Sequence, residues 1–115
     1  MENGNSKTVF VVCVDNTKDI SDAKRFGKLR GIFSNMRKPY NTTGMIRHAR
    51  SILKDWRPGD YLLFMGDPVL CAVAMIVVAE YDDTVNVLQW DRLGFQYVPD
   101  SWNFNMVNNT GERSL

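Results

Sequence analysis

Residues 58–92, PGDYLLFMGDPVLCAVAMIVVAEYDDTVNVLQWDR, decide how the chain folds. Tyr61 to Met65 carry almost no polar side chain, the mark of a strand buried on both faces. Gly66 ends that run. Asp67-Pro68 then starts a helix: the carboxylate accepts from free N–H groups, and proline sits where no N–H is needed. Val69 to Ala79 is apolar all round, which predicts a helix covered on every side. Asp82-Asp83 turn the chain, and Val85 to Trp90 alternates as a second strand. A connection of this length returns parallel to the first strand, with a right-handed crossover.

Upstream, Thr8 to Val14 (TVFVVCV) reads as another buried strand. Ser21 caps a predicted helix running to about Phe33, with Phe26, Leu29 and Phe33 on one face. Gly27 and Gly31 weaken that helix or admit a neighbouring backbone. Asn41 caps a second helix whose apolar set is Met45, Ile46, Ala49, Ile52, Leu53 and Trp56. Pro58-Gly59 ends it. Downstream, residues 91–94 predict a hairpin turn with Gly94 at the position needing positive φ, and Phe95 to Val98 return antiparallel. Pro99 closes the hairpin. The expected domain spans 1–99, with 1–6 loose, and 100–115 form a polar tail. In that tail Trp102, Phe104 and Met106 are placed to dock at alternate positions. The order β-α-α-β-α-β-β predicts a small α/β sandwich, three parallel strands plus an antiparallel C-terminal edge strand, with helices on both faces.

At 115 residues the chain makes one domain with a modest core. Cys13 and Cys71 lie in apolar runs and read as small core residues. No leader precedes them, so a reducing cytoplasm is the expected setting. The apolar helix is too short to span a bilayer. Charge is divided along the chain: residues 18–57 carry eleven Lys/Arg against three Asp/Glu, and residues 58–115 carry two against eight. Either the halves neutralise each other or a basic face meets an anionic partner.

Ligands of open parallel sheets gather beyond the carboxyl ends of the strands. Asp15, Asp67, Asp91 and Arg92 fall there. Three converging carboxylates suit a divalent metal for phosphoryl-transfer chemistry, but each has a structural task in a turn or cap. No metal, cofactor or catalytic set is therefore assigned. Gly66-Asp67-Pro68 puts a carboxylate and a missing N–H where a phosphate needs donors. His48 flanks the apolar face of the second helix and reads as a packed ring. Arg47, Arg50 and Lys54 on that helix are the candidates for an anionic partner, nucleic acid included.

Asp-Ala-x-Arg-Phe-Gly at 22–27, Tyr40-Asn41-Thr42, Gly59-Asp60-Tyr61-Leu62-Leu63, Gly66-Asp67-Pro68 and Trp90-Asp91-Arg92 carry a resemblance. Over Thr8 to Pro99 the chain resembles small uncharacterised proteins of tailed bacteriophages, podovirus-like and marine phages among them. The resemblance implies a viral origin and a setting in the host cytoplasm or the virion; it implies no activity. The expected function is that of a non-enzymatic phage accessory protein that binds a host or virion protein. A nucleic-acid-associated protein using the basic helices is the alternative, followed by a metal-dependent phosphoryl-transfer enzyme. The hairpin edge and the Trp102–Phe104 segment are candidate surfaces for homo-oligomerisation.

Overall fold

The computed structural model describes residues 6–34 and 41–104. In chain order the elements are strand β1 (Thr8–Val14), a 3-10 helix (Ser21–Phe26), β2 (Lys28–Ser34), helix α1 (Thr42–Leu53), β3 (Tyr61–Leu63), helix α2 (Pro68–Ala79), β4 (Thr84–Asp91) and β5 (Gln96–Asn103). They form one sheet in the order β2-β1-β3-β4-β5. The pairs β1–β2, β1–β3 and β3–β4 are parallel, and β4–β5 is antiparallel.

The strand–helix–strand unit around α2 forms as expected, and the sheet is larger by one strand. Residues 28–34 are strand β2, not the second half of a helix, and only Ser21–Phe26 is helical, as a 3-10 turn. Two glycines each cost a helix about 1 kcal/mol relative to alanine. In the strand, Thr8 to Val14 pair along their length with Lys28 to Ser34. Gly27 serves the close approach: a Cβ there would lie 2.4 Å from the Lys7 carbonyl oxygen. The sheet therefore has four parallel strands and an antiparallel edge.

The winding reverses at β1. The chain passes from β1 outward to β2, then returns across β1 to β3 and onward. Right-handed crossovers put connections running in opposite directions on opposite faces. Accordingly α1 and α2 pack side by side over Phe10, Val12, Leu62, Val85 and Val87. Among the described residues, the other face, with Val9, Val11, Leu63, Leu88 and Tyr97, receives only the 3-10 turn through Ala23. In place of the expected helices on both faces, the two α-helices share one face and the other carries a 3-10 turn.

Helix α2 starts as its sequence predicts, with Asp67 accepting from the Val69 N–H at 2.7 Å and Pro68 at the first position. It is not covered on every side. Leu70, Val73, Ala74, Val77 and Val78 are buried, whereas Val69 and Ile76 are 45 % and 58 % exposed. With Ala72 and Ala79, also exposed, they form an apolar stripe on the side away from α1. β4 and β5 continue the sheet past the width of two helices, so among the described residues nothing on this face covers that side.

The hairpin differs in detail. Positive φ falls at Phe95 (52°), not at Gly94. β5 begins at Gln96 and runs through Asn103, well beyond Pro99, and the Phe104 N–H still bonds to Asp83. Residues 100–103 are strand rather than tail. Trp102 docks edge-on against Phe64, centroids 6.1 Å apart. Met106 lies outside the described residues.

The β5 edge is blunted by side chains. The Leu88 carbonyl accepts from Phe64 of the β3 side, so in the Leu88–Pro99 pair the backbone groups point away from each other. Pro99 therefore removes an N–H from the open edge. Tyr97, two residues earlier, also points its backbone outward. Its N–H donates to Asp22 Oδ2 at 2.8 Å, and its carbonyl accepts from Arg25 Nη2 at 2.7 Å. The two side chains, 3.1 Å apart, stand in for a neighbouring strand. Among the described residues no helix is long and apolar enough to cross a membrane.

At the amino ends of the central strands β1 and β3, Asp60 is 4 % exposed and joins two segments. Its Oδ1 accepts from the Thr8 N–H and its Oδ2 from the Arg57 N–H, each at 2.9 Å. Asp60→Ala orphans both donors and should cost about 2–5 kcal/mol, with Asp60→Asn costing less, read by urea denaturation. For Asp22, the Tyr97 N–H and then Arg25 hold the carboxyl below its ordinary range. The stability this adds is full above that ordinary range and lost as pH falls through the lowered pKa. The stability gap between wild type and Asp22→Asn should therefore narrow in acid, and Tyr97 amide exchange should be faster in the variant at neutral pH.

Candidate functional site

The carboxyl ends of β1, β3 and β4 meet around Phe64-Met65-Gly66, the turn from β3 into α2. Gly66 has φ +90°, and a Cβ there would lie 2.5 Å from Cys13 Cβ. Glycine thus lets the turn pass against the end of β1. Two hollows open on either side of this turn and share its three residues.

On the helical face a groove of about 580 Å³ runs between α2 and β5. Phe64 and Trp102 lie on the sheet side, and Cys71, Ala72, Met75 and Ile76 on the helix side. Among the described residues no charged side chain lines it. Met and large aromatics make such a surface adaptable as well as apolar. The Cys71 thiol lies 3.7 Å from the Met65 carbonyl oxygen, and burial pushes its pKa up to about 11. Burial raises Cys13 as well. Both are protonated at neutral pH and are poor nucleophiles.

On the other face a crevice of about 660 Å³ lies between Asp15, Lys18 and Asp19 of the β1 exit and Trp90 and Tyr97 of the hairpin. Of the four strand-end residues singled out in the sequence, only Asp15 lines it. Asp67 is engaged at the N-terminus of α2. Asp91 accepts from the Leu93 N–H at 3.0 Å in the hairpin turn, and Arg92 is exposed in the same turn. The three carboxylates do not converge, and no group of three metal-ligating side chains occurs among the described residues.

Arg50 meets the acidic half at Glu80, and Arg30 pairs within the basic stretch at Asp55. Arg50 donates from Nε and Nη2 to the two oxygens of Glu80, at 3.1 and 2.7 Å. That pair lifts the Arg50 pKa and lowers that of Glu80. Arg30 meets Asp55 at 2.9 Å. Arg47 and Lys54 project from the exposed side of α1. His48 packs its ring 5.2 Å from that of Phe33, with Nε2 2.7 Å from the Ile32 carbonyl oxygen. Arg37 and Lys38 lie outside the described residues.

Sequence reasoning missed the groove because it took α2 as fully enclosed, and a helix apolar on every side has no amphipathic pattern to mark an open stripe. Trp90 and Tyr97 were read only as strand residues, although their pairing across the hairpin makes them one wall. Gly66→Ala puts a side chain at positive φ and against Cys13, and should cost about 1–3 kcal/mol by thermal denaturation. It should also shift the indole resonances of both Trp90 and Trp102, which flank the two hollows.

No curated protein and no solved structure matches the chain. A family model, described as Phage Pam3 gp32-like protein, matches residues 7–105 and so extends past Pro99 through all of β5. The chain belongs to this family of phage proteins.

Proposed function

We propose that this protein is a non-enzymatic docking module, working in the infected host cell or in the virion, that binds another protein through the groove between α2 and β5. The observation that carries the reading is the open side of α2. Ile76 at 58 % and Val69 at 45 % exposure stand beside an apolar groove edged by Trp102. A buried helix leaves such a stripe uncovered at a cost of about 25 cal/mol per Å² of apolar surface left in water, and contiguous exposed apolar patches mark interaction sites. The fitting occupant is a protein segment that presents aliphatic or aromatic side chains without charge, because the groove offers no ion to pair with one. Binding through nucleic-acid phosphates is less favoured: Arg50 and Arg30 already face Glu80 and Asp55.

A photo-crosslinking residue at position 76 tests this in lysate of infected host cells. It should capture a defined protein, and a residue placed at 47 on the outer face of α1 should not. Val69→Asp together with Trp102→Ala should abolish capture, while Arg47→Glu with Lys54→Glu leaves it unchanged. Loss of binding in the basic pair, with the groove variant still active, would refute the docking reading in favour of an anionic partner.

A further inference from the structure

The crevice on the other face is a distinct cavity with a distinct chemistry. It lies where the winding reverses between β1 and β3, the position at which open parallel sheets take their ligands. Its volume of about 660 Å³ falls within the roughly 300–1,000 Å³ of small-molecule sites. One wall is aromatic. Trp90 and Tyr97 meet edge to face with centroids 5.0 Å apart, and Trp90 is 44 % exposed. Phe64 and Met65 add apolar contact.

The facing wall is the β1 exit loop, with two carboxylates, Asp15 and Asp19, and one ammonium, Lys18. Each carboxylate uses Oδ1 to hold the chain two residues on: Asp15 accepts from the Thr17 N–H and Asp19 from the Ser21 N–H, both at 2.9 Å. The Thr17 hydroxyl, which also donates to Asp15 Oδ1 at 2.6 Å, and then the Thr17 N–H hold the Asp15 carboxyl below its ordinary range, as the Ser21 N–H does for Asp19, so both are charged at neutral pH. The rim is therefore net negative. Phosphate is disfavoured twice over: by that charge, and by Asp67, whose carboxylate already occupies the N-terminus of α2.

We propose that this crevice binds a small organic cation, an ammonium group carried on an aromatic or aliphatic body, with the body against Trp90 and Tyr97 and the charge at Asp15 and Asp19. Aromatic faces attract cations, tryptophan most strongly, and a neighbouring carboxylate adds Coulombic attraction. The proposal is independent of the docking reading, from which it differs in face, wall residues and ligand.

The test titrates the protein with phenethylammonium, 2-phenylethanol and phenylacetate, which share a ring and differ in charge, and follows the Trp90 indole and Met65 methyl resonances. Phenethylammonium should give saturable shifts at both residues, with the neutral and anionic probes about tenfold weaker or more. Asp15→Asn with Asp19→Asn keeps each Oδ1 acceptor and removes the charge. It should weaken phenethylammonium about tenfold while the melting transition stays cooperative, its midpoint lowered by the lost charge on the carboxylate hydrogen bonds. No saturable shift with phenethylammonium, equal binding of the three probes, or a preference for phenylacetate would overturn the assignment. Should the double variant fail to fold, the comparison of probes on the wild type decides alone.

Discussion

Three residues, Tyr61, Leu62 and Leu63, join the two halves of the sheet. On one side they pair with Val9, Phe10 and Val11, and on the other with Asn86, Val87 and Leu88. Leu62 and Leu63 are fully buried, one under each face. A strand this short is a weak ladder on its own, so its position depends on the groups at its ends. Asp60 ties its start to the first residue of β1, and Phe64 extends the bonding to Leu88. The turn that follows, with its Gly66 pressed on Cys13, then sets where α2 begins and where both hollows lie.

That constraint explains why the two faces differ. Because the winding reverses beside β3, both long helices fall on one face, and the other is left to a six-residue 3-10 turn. Two helices side by side cannot cover five strands. One face is left with an apolar groove beside α2, and the other with a mixed crevice under the hairpin. The Asp22–Arg25 clamp on Tyr97 has a related origin: the small turn uses its polar side chains to close the strand edge that a larger element would have hidden. Pro99 acts to the same end by leaving that stretch of the β5 edge without an N–H to donate.

The strand–helix–strand unit was legible because its signals are local: an apolar run, an acid–proline cap and an alternating strand. α1 was legible for the same reason, and Asn41 caps it by accepting from the Gly44 N–H. β2 was not, because Phe26, Leu29 and Phe33 fit a helical spacing, while the preference for a strand comes from a partner, β1, twenty residues earlier in the chain. Of the strand-end carboxylates Asp15 lines the crevice, while Asp67 and Asp91 are taken up in a helix cap and the hairpin turn outside it. Of the residues quoted for the phage resemblance, Asp22, Asn41, Asp60 and Asp67 are engaged in clamps and caps. The divided charge is met across the halves at Glu80, which pairs with Arg50 of α1, while Arg30 of β2 pairs with Asp55 inside the basic stretch.

Native-state hydrogen exchange in low denaturant tests the central role of β3 most directly. If these three residues join the halves of the sheet, the amides of Leu62 and Leu63 exchange only through global unfolding, with the same free energy and denaturant dependence as the protected amides of β1 and β4. Exchange of Leu62 and Leu63 through a smaller opening that leaves β1 and β4 protected would contradict the account.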